Sequence, residues 1–167
     1  MSVLNILFIG SDEVARSIAK KSDSRDVDNY IYKDLKEGGL FSTISILRPN
    51  NYPDKPKPFF TSLTVSDFGI IEVNKVDGVF GEVIVSMASA GIKQGLVILN
   101  ASEGEWVDDS QVKTLLQQAG LSNWEFIEND GVLIREKLIE VLNQIKSNEE
   151  DGFVVAVDQA FTVKGVG

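Results

Sequence analysis

The sequence predicts a doubly wound α/β domain with a mostly parallel sheet, and three observations predict it. Short, nearly continuous apolar runs recur and end in turn residues, as strands buried on both faces do. Between several of them lie segments whose apolar residues repeat at helical spacing. All four prolines fall within one stretch, RPNNYPDKPKP, which leaves the rest of the chain free for regular structure. Strands that alternate with helices imply right-handed βαβ units, a parallel sheet and helices on both of its faces.

The opening run VLNILFIG, ending at Gly10, reads as the first buried strand. SDEVARSIAKK follows as a turn and a helix, with Ser11 or Asp12 as N-cap and acidic residues in the first turn. DNYIYKDL and LFSTISIL carry β-branched and aromatic residues on either side of Gly38 and Gly39, and read as two further strands. The proline stretch is expected to be a loop, with a short helix over PFFTSLTV after it. FGIIEV is then a buried strand, and Phe80, Ile84, Met87 and Ala88 share a helical face. GLVILN is the next strand, followed by a helix carrying Val112, Leu115, Leu116 and Ala119. WEFI is a short strand, and Ile134, Leu138, Val141, Leu142 and Ile145 mark the last amphipathic helix. The segment FVVAVDQAFTVKGVG, after the charged linker SNEEDG, alternates like a half-exposed strand outside this pattern. The α/β domain is therefore placed at residues 1–148, and residues 149–167 are read as a linker and a strand outside it.

Composition narrows the chemistry. The 167 residues, 43% of them hydrophobic, suffice for one ordinary core. Cysteine and histidine are both absent, which removes disulfides, thiol nucleophiles, Ser-His-Asp triads and the usual zinc sites. Carboxylate or magnesium chemistry, phosphate binding by backbone amides, or no chemistry remains. The formal charge of −9 argues against this fragment alone clamping a nucleic-acid backbone. No apolar run reaches the roughly 18 to 20 residues of a membrane span, and the start lacks a signal-peptide pattern, so a cytoplasmic protein with no membrane partner is expected.

Ligands of open α/β sheets bind beyond the carboxyl ends of the strands, so the candidate residues lie there. After the first strand, Gly10, Ser11, Asp12, Glu13, Val14, Ala15, Arg16 and Ser17 occupy the register of the phosphate-binding loop G-x-x-x-x-G-K-[ST]. Gly10 and Ser17 match, Ala15 replaces the second glycine and Arg16 the lysine. An arginine keeps the charge but is a larger planar fork, and Asp12 and Glu13 set negative charge where phosphates would lie. The same eight residues also fit an ordinary strand-to-helix turn. After the GLVILN strand come Asn100, Ala101, Ser102 and Glu103, in the place of a guanine-reading N-K-x-D motif. After ISIL come Arg48, Pro49, Asn50, Asn51 and Tyr52, in the place of a magnesium-holding D-x-x-G followed by a histidine. Glu128 and Asn129 follow WEFI, where a Ser-Ala pair would contact the base.

This order of motifs, together with the closing VDQAFTVKGVG, resembles the G domain of translation elongation factors of the EF-Tu and SelB kind, above all the SelB-like homologues of methanogenic archaea. The resemblance spans nearly the whole chain and implies a P-loop GTPase-like fold that stops just inside a β-barrel domain. It implies GTP or GDP as ligand, held by Gly10, Ser11, Asp12, Arg16, Ser17, Asn100 and Glu103, with magnesium on Ser17. It also implies tRNA or the ribosome as partner, reached through barrel domains beyond this chain. The replaced lysine, switch carboxylate and histidine positions imply a pseudo-GTPase or a weak GTP binder that acts as a binding module. A slow GTPase using Arg16 and Ser17, and an unrelated flavodoxin-like regulatory domain, are the alternatives. Arg16 and Arg48 are either surface charge or internal partners for Asp12, Glu13 or Glu103, and Tyr52, Trp106 and Trp124 read as packing residues.

Overall fold

A computed structural model describes residues 2–35, 41–101 and 106–146. Its elements run β1 (Ser2–Ile9), α1 (Asp12–Ile18), β2 (Lys20–Ser24), β3 (Val27–Leu35), β4 (Phe41–Pro49), α2 (Pro56–Thr64), β5 (Phe68–Val73), α3 (Gly78–Ser89), β6 (Gly95–Leu99), α4 (Asp109–Gln118), β7 (Glu125–Ile127) and α5 (Gly131–Lys146). The strands form one seven-stranded sheet in the order β2-β3-β4-β1-β5-β6-β7. From β4 to β7 every pairing is parallel, while β2–β3 and β3–β4 are antiparallel. The expected α/β sheet is therefore mixed, with an antiparallel flank inserted between α1 and β4.

The two faces of β1 are filled separately, because successive side chains of a strand point to opposite sides. Leu4, Ile6 and Phe8 pack with α1 and α5 through Val14, Ile18, Ile134 and Leu138. Leu7 packs with α2, α3 and α4 through Phe59, Phe80, Ile84 and Leu116. All six residues of β5 are buried, which accounts for the unbroken apolar reading of FGIIEV apart from one carboxylate, Glu72.

Two expectations need correction. The helix expected over SDEVARSIAKK ends at Ile18, and Lys20–Ser24 form edge strand β2. Its side chains are almost all exposed, so the segment carries no hydrophobic period to reveal it. The proline stretch is also less of a loop than expected. Pro49 closes β4 and Pro56 opens α2, a position where the missing N–H costs a helix nothing. The terminal strand expected within 149–167 lies outside the described residues.

Candidate functional site

β1 has β4 on one side and β5 on the other, so the strand order reverses at its carboxyl end. Such a point leaves a crevice between diverging connections. Here the crevice is occupied by side chains of the protein itself. β1 runs through Gly10 to Ser11, whose hydroxyl caps α1 by accepting from the Val14 N–H at 3.3 Å. The Ser11 N–H donates to Oε2 of Glu72 at 2.5 Å, and Nδ2 of Asn100, just past β6, donates to Oε1 at 2.5 Å. Glu72 is buried, and both of its oxygens are used inside the chain. Gly10 is glycine for the same reason: a Cβ there would lie 2.6 Å from Oε2 and 2.7 Å from Cβ of Glu72.

A second group closes the other side of the crevice. Nε of Arg48, at the end of β4, donates to the Gly10 carbonyl at 2.7 Å, and its Nη1 reaches Oδ2 of Asp28 at 3.1 Å and Oδ1 of Asn50 at 2.8 Å. Asp28 is also paired with Lys21 at 2.8 Å and accepts from Ser24 at 2.7 Å. Lys21 bridges to Asp12 at 2.9 Å, and Asp12 takes Nε of Arg16 and the Tyr30 hydroxyl, each at 2.5 Å. Burial pushes the Asp28 carboxyl up, but the hydrogen bonds from Lys21 and Ser24 prevail and hold it at about 2. The Tyr30 hydroxyl, then Arg16 and Lys21, hold Asp12 far below the usual carboxylate range. Burial and the Asp12 carboxylate raise Tyr30 to about 12.

Gly10, Ser11 and Asn100 thus meet, and Glu72 brings them together. Asp12 and Arg16 pair with each other on the flank of α1. Ser17 faces away: its hydroxyl donates to the Val14 carbonyl at 2.7 Å, and its own carbonyl accepts from Arg135 of α5 at 2.9 Å. Glu103 lies outside the described residues. Arg48 is an internal partner rather than surface charge, although Asp28 and not Asp12 receives it. Asn51 has φ 58°, the left-handed conformation glycine favours, at the place where the resemblance puts a glycine. Tyr52 packs on Phe59 with ring centroids 4.4 Å apart, and Trp124 is buried, both as expected. Trp106 instead is 81% exposed.

Glu72, Asp28, Lys21 and Tyr30 were not singled out from the sequence. Glu72 carries a signal, since a carboxylate inside an apolar strand must find donors. Asp28 and Lys21 do not, because charges near turns are ordinary. Beside Glu72 a cavity of about 300 Å³ opens between Ile9, Val73, Phe80 and Val83, with Asn74, Lys75 and Asp77 at its polar side. Among the described residues no group of three or more acidic side chains is placed to hold a metal ion. What the arrangement does chemically is to satisfy the amide of Ser11, the N-cap of α1, with an internal carboxylate.

The chain is similar to an uncharacterized protein of Methanocaldococcus jannaschii, 28% identical over 162 residues that make up 96% of this chain and 49% of the relative. The chain therefore spans about half the length of that relative. No family model matches the chain.

Proposed function

We propose that this domain is an elongation-factor-like G domain that has given up nucleotide for internal bonds, a cytoplasmic pseudo-GTPase that serves translation as a binding module. The observation that carries the reading is the Glu72 carboxylate on the Ser11 N–H at 2.5 Å. Backbone amides at the start of a helix after a buried strand are what a phosphate-binding loop offers its ligand. A carboxylate is a fitting internal substitute, because it brings the same charge sign and accepts the same N–H. Gly10 and Asn100, two of the residues that carry the resemblance, touch that same carboxylate. Arg48, where the resemblance places the switch carboxylate, closes on the Gly10 carbonyl.

The alternative with a specific observation behind it is a flavodoxin-like domain. Taken alone, the parallel strands β1, β4, β5, β6 and β7 follow the order 2-1-3-4-5 of that fold. The antiparallel β2–β3 flank between α1 and β4 is foreign to that order and favours the first reading. Titration with a fluorescent GTP analogue, with phosphate release followed in parallel, tests the proposal. The expected result is no saturable, magnesium-dependent binding and no turnover. Micromolar binding with turnover contradicts it and supports a slow GTPase, and micromolar binding of flavin mononucleotide supports the flavodoxin-like reading.

A further inference from the structure

We propose that the open edge of β3 at Lys33 is a docking site for an extended, acidic segment of a partner protein. The pairing of β2 with β3 begins at Lys20 opposite Ile31, whereas β3 stays paired with β4 to Leu35. Beyond Ile31, β3 thus has an open side among the described residues. Main-chain groups of a strand face its two neighbours alternately. The Ser22 hydroxyl donates to the Asn29 carbonyl from the β2 side, which places the main chain of Ile31 and Lys33 on that same side. The Lys33 N–H and C=O therefore point out of the sheet edge, ready for another strand.

The edge opens into a groove of about 410 Å³ between the end of α1, the first turns of α5 and β3. Arg16, Lys20, Lys21, Lys33 and Arg135 line it and no carboxylate does. The side chains of Arg16, Lys21 and Arg135 share the groove's face with Tyr30 and Tyr32, and those of Lys20 and Lys33 alternate to the other face of the same edge. A strand added there thus meets cations on both sides, on a chain with formal charge −9. Three are engaged internally: Arg16 and Lys21 with Asp12, and Arg135 with the carbonyls of Ser17 and Ile18. Lys20 and Lys33 are exposed and have no carboxylate partner among the described residues. Edge lysines deter apolar strands, and the same charges select an acidic one. A peptide that adds to the edge takes affinity from main-chain hydrogen bonds and specificity from its side chains. The outward-pointing main chain of Lys33, unpaired on that side among the described residues, is what favours a peptide over a phosphate polymer, which needs cations alone. Arg16 and Lys21 belong to both the groove and the crevice, but Lys20 and Lys33, on which the test rests, make none of the crevice's ion pairs.

The test uses the full 167-residue chain and a labelled peptide of about eight alternating Glu and Val residues, a strand's length. A Lys-for-Glu peptide and an oligouridylate of equal charge are the comparisons. Fluorescence anisotropy at low salt reads affinity, and hydrogen exchange reads the Lys33 amide. The site predicts saturable binding of the acidic peptide alone, protection of the Lys33 amide, and affinity at least about ten-fold weaker in the Lys20→Glu, Lys33→Glu double variant. Both side chains are exposed, and circular dichroism checks that the variant is folded. Absence of saturable binding, or binding unchanged in the folded variant, overturns the proposal. So does oligouridylate binding that needs both lysines but leaves the Lys33 amide exchanging freely. Self-association of the chain that disappears in the double variant also overturns it, by assigning the edge to a second copy.

Discussion

Glu72 is the residue on which the crevice turns, and its two hydrogen bonds give it a measurable weight. Replacing it by leucine leaves the Ser11 N–H and the Asn100 amide without their acceptor, which should cost about 1–3 kcal/mol. Glutamine keeps an acceptor and the shape, so Glu72→Gln should lose clearly less; urea midpoints of the two variants at equal slope check the order. Asp28 is the second such residue. Its carboxyl is held at about 2 against an ordinary value near 4, so the folded state favours its charged form. The stability this confers is complete above the unfolded value and is lost as pH falls from about 4 through about 2. Urea unfolding from pH 7 to pH 2 should show that loss in the native chain and a flatter profile in Asp28→Asn. Tyr30 behaves in the opposite sense at the alkaline end. With its phenol raised to about 12, its contribution is full below about 10 and fades as pH climbs toward 12. Stability between those pH values should therefore decline less in Tyr30→Phe.

At the scale of elements, close approaches rather than propensities decide which glycines are needed. A Cβ on Gly95 of β6 would lie 2.6 Å from the Gly69 carbonyl oxygen of β5 and as close to the Trp124 ring. A Cβ on Gly131, at the start of α5, would lie 2.2 Å from the Ser17 carbonyl oxygen. In each case a backbone atom blocks the way, so alanine at either position should cost about 1–3 kcal/mol, read as a lower melting temperature. Gly91 and Gly120 meet nothing within 4 Å, and there it is the positive φ of 84° and 87° after α3 and α4 that calls for glycine. The parallel strands and their helices were legible because burial on both faces writes a continuous apolar run, as in GLVIL and FGIIEV. β2 was not legible, because an edge strand with solvent on both faces writes no period at all. The Ser17–Gly131 contact was equally hidden, since it joins residues more than a hundred positions apart.

At the scale of the whole molecule, the proposed reading has one arrangement account for both the matched and the replaced motif positions. The sheet directs Gly10, Ser11, Arg48 and Asn100 to the carboxyl ends of β1, β4 and β6, where the sequence order alone put them. What the sequence could not show was the occupant, because Glu72 and Asp28 enter the crevice from β5 and β3 through register and not through any motif. No described helix is long and apolar enough to cross a membrane. The account rests on the Ser11 amide being bound to Glu72 at all times. The direct measurement is the backbone amide resonance of Ser11 in the ¹⁵N-labelled chain during titration with GTP and magnesium. The account predicts that the Ser11 signal stays in place to millimolar ligand in the native chain. A saturable shift of Ser11 and Asn100 with a micromolar midpoint would contradict it, since a nucleotide would then have displaced the carboxylate.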